Sequence, residues 1–220
     1  MKKQYLRRCL RVLAGLAVSA VGIVMLLQAN IGLDPWNVLH QGIEHVTGIS
    51  FGTATILAGG SIMLLSILLG ESFGIGTLAN IFCCGPIIDL ILATGLIRQQ
   101  TRFLPGLAMM LAGLEFLAVG TWLYMSAGLG SGPRDSLMVA IAKRTRWKVG
   151  VCRSASELLV TTAGFLMGGS VGFGTVISAV GIGVFFNLNF RLLHFHADEL
   201  HQENLAESLA NFNAKEKRTV

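Results

Sequence analysis

Charge is scarce in this chain. Only 13% of its 220 residues are Asp, Glu, Lys or Arg, while 53% are hydrophobic. No stretch reads as a soluble domain. Alternating segments of about ten residues, the mark of a membrane barrel, are also missing. The four cysteines do not form a disulfide framework: Cys9 and Cys152 stand near the ends of apolar runs, and Cys83 and Cys84 are neighbours that a helix points apart. Free cysteine is commonly a small buried hydrophobe, so neither a disulfide nor a metal site is expected. There is no P-loop, nucleophile elbow, HExxH or haem motif, which argues against an enzyme and against a cofactor.

What the chain does contain is six long apolar runs, at residues 12–29, 51–70, 75–97, 106–128, 151–169 and 173–193. Runs of roughly 18 or more residues with few charges are transmembrane-helix candidates. The first follows Lys2, Lys3, Arg7 and Arg8, as a signal peptide would. It is longer than the core of about 7–15 residues of such a leader, and its pattern returns later in the chain.

That return is part of an internal repeat. "GLDPWNVL" at 32–39 and "GSGPRDSL" at 130–137 both read Gly-x-x-Pro-x-x-x-Leu, at an offset of 98 residues. The same offset aligns "LAGLAVSAVG" (13–22) with "LAGLEFLAVG" (111–120), "GIGT" (74–77) with "GFGT" (172–175), and Gly52, Gly70 and Gly85 with Gly150, Gly168 and Gly183. Shared Leu and Ala mean little in apolar helices. Shared Gly, Pro and Thr at one ungapped offset mark a true repeat, the signal that decides a fold when present. Each copy reads as a long span, a proline turn, a short helix (about 35–46 and 133–144), and two further spans joined by a Gly-rich turn. Proline suits the first turn of a helix, where its missing N–H has no partner, and Asp34 before Pro35 is a good N-cap residue.

If the short helices do not cross, each copy has three spans and the second copy is inverted. Charge supports this. With the N-terminus inside, 15 of the 17 Lys and Arg fall on the cytoplasmic side, and only Arg98 and Arg102 do not. Residues 31–50 carry no Lys or Arg; the equivalent 129–148 carry Arg134, Lys143, Arg144, Arg146 and Lys148. Lys and Arg enrichment marks cytoplasmic segments. The expected fold is therefore an all-α polytopic membrane protein: six transmembrane helices as two inverted three-helix repeats, each with an extra short Pro-started helix. The segments are a basic cytoplasmic N-terminus (1–11), repeat 1 (12–97), an external linker (98–105), repeat 2 (106–194) and a cytoplasmic tail (195–220). The expected location is the bacterial inner membrane, with both termini cytoplasmic. The turns are expected on opposite faces, Trp36 at the outer interface and Arg134 at the inner one.

"GLDPWNVLHQGI", "GIGTLAN", "GLGSGPRDSLM" and the Arg153/Glu157 pair followed by "GGSVGFGT" resemble the YczE-like (YczE/YyaS/YitT-type) family of bacterial integral membrane proteins, over roughly residues 10–195. The resemblance implies a polytopic membrane fold and a transport role. In that family's pattern an Asp follows the first Pro-Trp; here Asn37 stands there.

Ionisable residues within spans usually face a cavity or a partner. Asp89 in span three and Glu115, about 14 Å into span four, have no partner in their own helices and are candidates for a cation or proton. Asn80 and Asn187 are further polar candidates within spans three and six. The two Gly-x-Gly-Thr motifs (Gly74, Gly76, Thr77; Gly172, Gly174, Thr175) each open a helix, whose free N–H groups can hold an anion, although glycine equally serves close packing. Asp34, Asn37, Arg134, Asp135, Arg153 and Glu157 are candidate gate residues, with Asp135–Arg153 or Arg134–Glu157 as closing pairs. Arg153 and Glu157 are also spaced to neutralise each other on one helix face. His40 and Glu44 share a face of the first short helix, and His194, His196 and His201 cluster near the tail, without the ligand spacing of a metal site. Leu200, Leu205, Leu209 and Phe212 give the tail a modest apolar stripe.

The reading these features favour is a small-solute transporter working by alternating access between inverted repeats, proton- or cation-coupled through the buried acids. The alternative is a non-transporting accessory subunit or the solute-binding component of a larger complex. The expected partners are the lipid bilayer and a small solute, with no nucleic acid. The small size favours a homodimer or a partner subunit.

Overall fold

A computed structural model describes residues 2–195, 200 and 202–208, with side chains from Tyr5 onward. The described residues form eight helices and no strand: α1 (Lys2–Ala29), α2 (Pro35–Thr47), α3 (Phe51–Leu68), α4 (Ile75–Thr94), α5 (Phe103–Met125), α6 (Pro133–Thr145), α7 (Val149–Leu166) and α8 (Phe173–Leu192). Five are long and apolar enough to cross a membrane: Tyr5–Ala29 of α1, and α3, α4, α5 and α8. The fifth apolar run of the sequence, the one at 151–169, falls largely in α7. It is absent from that set because Arg153, Glu157 and several Ser and Thr dilute its apolar character.

Helix α1 packs along α5, glycine against glycine. A Cβ on Gly15 would stand 2.7 Å from the Gly120 carbonyl oxygen, and one on Gly22 would stand 2.6 Å from that of Gly113. Position rises along one helix as it falls along the other, so the two run antiparallel. Small residues let helix backbones approach where no water drives them together. Leu16, Ala20 and Val24 are consequently fully buried.

The proline turns dock on the Gly-x-Gly-Thr motifs of the opposite half. The Gly76 N–H donates to the Leu129 carbonyl at 2.6 Å, and the Gly174 N–H donates to the Ile31 carbonyl at 2.7 Å. Donors and acceptors here are related by the same offset of 98. Gly32 and Gly130 hold φ of 110° and 121°, and the close approach of Gly172 and Gly74, respectively, leaves no room for a side chain. Only glycine combines that φ with that contact.

The bundle has two ends. At one, Arg8 donates to the Ala127 and Gly128 carbonyls and pairs with Glu203 at 2.6 Å, and Lys143 pairs with Glu71 at 2.7 Å. At the other, the Gln100 N–H meets the Gln28 carbonyl at 2.7 Å and His45 meets the Gly168 carbonyl at 2.8 Å. Residues 202–208 are not a free solvated tail: the Glu203 and Leu205 N–H groups bond to the Gly128 and Phe73 carbonyls, which holds this segment against the loops that precede α6 and α4. Leu209 and Phe212 of the tail stripe, His196, His201 and the tail's Lys and Arg lie outside the described residues.

One feature breaks the likeness of the halves. At the Gln100 end α3 and α4 are zipped: Gly52 and Gly85 touch backbone to backbone, and Asp89 accepts from the Gly52 N–H at 2.8 Å and the Ser50 hydroxyl at 2.6 Å. The equivalent Gly150 and Gly183, in α7 and α8, have nothing within 4 Å of where a Cβ would stand. Asn187, equivalent to Asp89, is exposed.

Candidate functional site

Proline at the first position starts α2 and α6, and both starts lie deep in the bundle rather than at its faces. The chain turns inward at 30–34 and 128–132, and each short helix then runs back toward the end it came from. The Arg134 guanidinium lies over the Trp36 ring, 5.0 Å from its centroid. This corrects the placement expected from sequence. Trp36 and Arg134 do not mark opposite interfaces; they stack on one another, because a turn held by the opposite half's glycines is drawn into the middle.

Around this stack lies a cavity of about 140 Å³. Its wall is drawn from both halves: Trp36 with Arg134, Pro35 with Pro133, Thr55 with Arg153, Asn80 with Ser178, Ile23 with Thr121, and Cys84 with Ile182 all line it, each pair separated by 98 positions. A smaller cavity of about 20 Å³ adjoins, bounded by His40, Thr55, Asn80 and Arg134.

The charged groups of the wall differ in how they are satisfied. Arg153 donates to Glu157 at 2.9 Å, one helical turn apart. Asp34 does not cap α2 with its carboxylate; it accepts from the Asn37 amide instead. Asn37 in turn meets His40 at 3.2 Å, and His40 meets the Thr55 hydroxyl at 3.3 Å, a buried polar chain. Arg134 and Asp135 are different. Among the described residues neither makes a hydrogen bond, nor an ion pair within 4 Å. Arg134 is half-buried and Asp135 exposed, whereas Asn37, the equivalent of Asp135, is 1% exposed. The cavity therefore opens on the side of Asp135. Neither Asp135–Arg153 nor Arg134–Glu157 is formed here, since Arg153 and Glu157 hold each other.

Two more wall groups lack partners. Trp36 Nε1 and Ser19 Oγ are buried and without hydrogen bonds, although buried polar atoms are nearly always satisfied.

Of the other candidates, Asn80 lines the cavity. Asp89 lies in the α3–α4 zip. Glu115 accepts both its hydrogen bonds from the Asn189 amide of α8, at 3.0 and 3.1 Å, away from the cavity wall. Asn187 faces outward. The Gly-x-Gly-Thr motifs offer no free anion site: the Gly76 and Gly174 N–H groups are taken by carbonyls, Thr77 donates to Ser131 O at 2.5 Å, and the Thr77 and Thr175 hydroxyls accept from Gly74 and Gly172. Ser19, Trp36, Thr55, Thr121, Tyr124 and Ser178 belong to the wall but were not candidates from sequence. The signal that finds several of them is the offset itself, since the partner of a polar residue across 98 positions tends to share the wall.

Residues 6–190 match the profile described as "Family of unknown function (DUF6198)". The chain belongs to that family. It is 36% identical over 186 residues to an uncharacterized protein of Haemophilus influenzae, covering 83% of this chain and 84% of the relative. It is 31% identical over 186 residues to the "Uncharacterized membrane protein YczE" of Bacillus subtilis, covering 84% and 86%. It is 22% identical over 187 residues to YyaS of the same organism, covering 83% and 92%. The YczE-like resemblance is thereby established, and with it a membrane protein family. No solved structure matches the chain.

Proposed function

We propose that this protein carries a small solute across the bacterial inner membrane by alternating access, with two inverted repeats closing in turn on the cavity between the proline turns. In this reading α7 crosses the membrane as the sixth span: its outer surface presents Leu158, Leu159 and Leu166, 71%, 69% and 79% exposed, an apolar face that suits lipid. The antiparallel pairing of the equivalent helices α1 and α5 is what a two-fold axis in the membrane plane requires. Transporters built this way place their substrate at the repeat interface, beside short or broken helices.

The observation that carries the proposal is the asymmetry of the halves. The α3–α4 seam is zipped while the equivalent α7–α8 seam is parted. Two halves with one grammar in two arrangements are what alternating access needs. The charge distribution assigns the Arg8 end to the cytoplasm, so the protein stands open inward.

Reconstitution tests this. Liposomes containing the purified protein are incubated with a defined mixture of small metabolites, and the lumen is analysed by mass spectrometry against protein-free liposomes. Selective uptake or exchange is expected. No solute entering above the control would sink the transport reading in favour of an accessory or solute-binding role.

A further inference from the structure

The unsatisfied groups of the cavity have a common chemistry, and it specifies what the cavity takes. Arg134 presents a planar fork of donors suited to a carboxylate, with no acceptor in reach among the described residues. Next along α6, Asp135 presents a bare carboxylate on the same wall. The remaining charges are engaged: Arg153 with Glu157 and Asp34 with Asn37. Resting on the reading of this cavity as a solute site, we propose that it binds a small zwitterion, its carboxylate on Arg134 and its ammonium on Asp135.

Neither single charge fits as well. The wall holds two cations, Arg134 and Arg153, and three anions, Asp34, Asp135 and Glu157. A simple anion would satisfy the donors but add to this negative excess and face Asp135. A simple amine would balance the count but meet Arg134 and leave its fork empty. A zwitterion leaves the count unchanged and supplies both missing partners. Arg134 and Asp135 line the same cavity, so one small molecule carrying both charges can meet both side chains. A cavity of about 140 Å³ is close to the ~150 Å³ that accommodates benzene, so the solute has about six to eight heavy atoms. Ile23, Leu117, Ile182 and Phe186 supply an apolar wall for its small side group.

The test uses full-length protein in detergent, with thermal unfolding read against ligand concentration. The probes are the small amino acids, alanine and β-alanine among them, with propionate, propylammonium and propionamide as single-feature controls. Stabilisation follows ligand concentration over Kd. At least one zwitterion is expected to bind about 10- to 100-fold more tightly than each control, as the loss of one charged hydrogen-bonding partner implies. Asp135→Asn should weaken the zwitterion by about that factor while improving propionate, and Arg134→Lys should weaken zwitterion and propionate together. That inversion of preference is not produced by a merely structural defect. Propionate or propylammonium binding as tightly as every zwitterion overturns the proposal, and so does a panel in which nothing binds. These wild-type outcomes stand even if a variant does not fold. Binding in detergent without uptake into liposomes would keep the zwitterion site and discard transport.

Discussion

Gly32 and Gly48 both hold positive φ, 110° and 73°, yet they are not equivalent. A Cβ on Gly48 meets nothing within 4 Å, whereas one on Gly32 would stand 2.6 Å from the Gly172 nitrogen. Gly48→Ala should therefore cost only the left-handed strain of about 1–2 kcal/mol. Gly32→Ala adds overpacking against backbone that cannot move aside, about 3 kcal/mol or more in all. Thermal unfolding in detergent measures the difference, and equal losses would mean that the turn is not held as described. At this scale much was legible. Gly32, Gly70, Gly130 and Gly168, which the common offset marks as turn glycines, all hold positive φ between helices. The depth of those turns was not legible, because a short helix with a charged start looks interfacial from composition alone. Trp36 and Arg134 occupy the same register of the two copies, and residues that share a register meet if they lie on the axis relating the copies. That clue stood in the sequence, but nothing in it locates the axis.

The α3–α4 seam is the clearest latch among the elements. Asp89 takes the Gly52 N–H and the Ser50 hydroxyl, so it ties the start of α3 to the side of α4. The sequence marks it as a candidate for a cation or proton, because nothing local reveals a partner 37 positions away. Its equivalent, Asn187, is exposed on the parted seam, and Lys148 stands where Ser50 does. The α3–α4 latch thus has an acid and a hydroxyl where the α7–α8 seam has an amide and a lysine, and it should be the stronger. Asp89→Ala should loosen it without unfolding the bundle, costing about 1–3 kcal/mol if the two donors are left unpaired. In a cysteine-free background, a cysteine at Ile56, which lies beside Gly85, should then react faster with an impermeant maleimide added from outside. An unchanged rate in a folded variant would make Asp89 a passive packing residue.

At the scale of the whole molecule, orientation and alternation can be read in one experiment. The cytoplasmic assignment of the Arg8 end predicts that a single cysteine at Gln41, near the Gln100 end, is labelled from outside, and one at Thr145, exposed at the end of α6, only from inside. Labelling of both from one face would remove the inverted topology and the gating argument with it. If topology holds, the offset supplies the second state without a second structure. The Gly52–Gly85 contact should part as the Gly150–Gly183 contact forms. Cysteines at 150 and 183 are not expected to pair in the present arrangement, in which α7 and α8 are not packed together as α3 and α4 are, because a disulfide requires Cβ atoms about 3.5–4.5 Å apart. They should cross-link under oxidant only as the protein visits the outward-open state, and the linked protein should expose Ile56→Cys to the outside while losing uptake. Reduction should restore both. Cross-linking that leaves outer accessibility unchanged would show that the α7–α8 seam opens and closes independently of α3–α4. The parted seam would then be a fixed entrance to a binding site rather than half of a transport cycle.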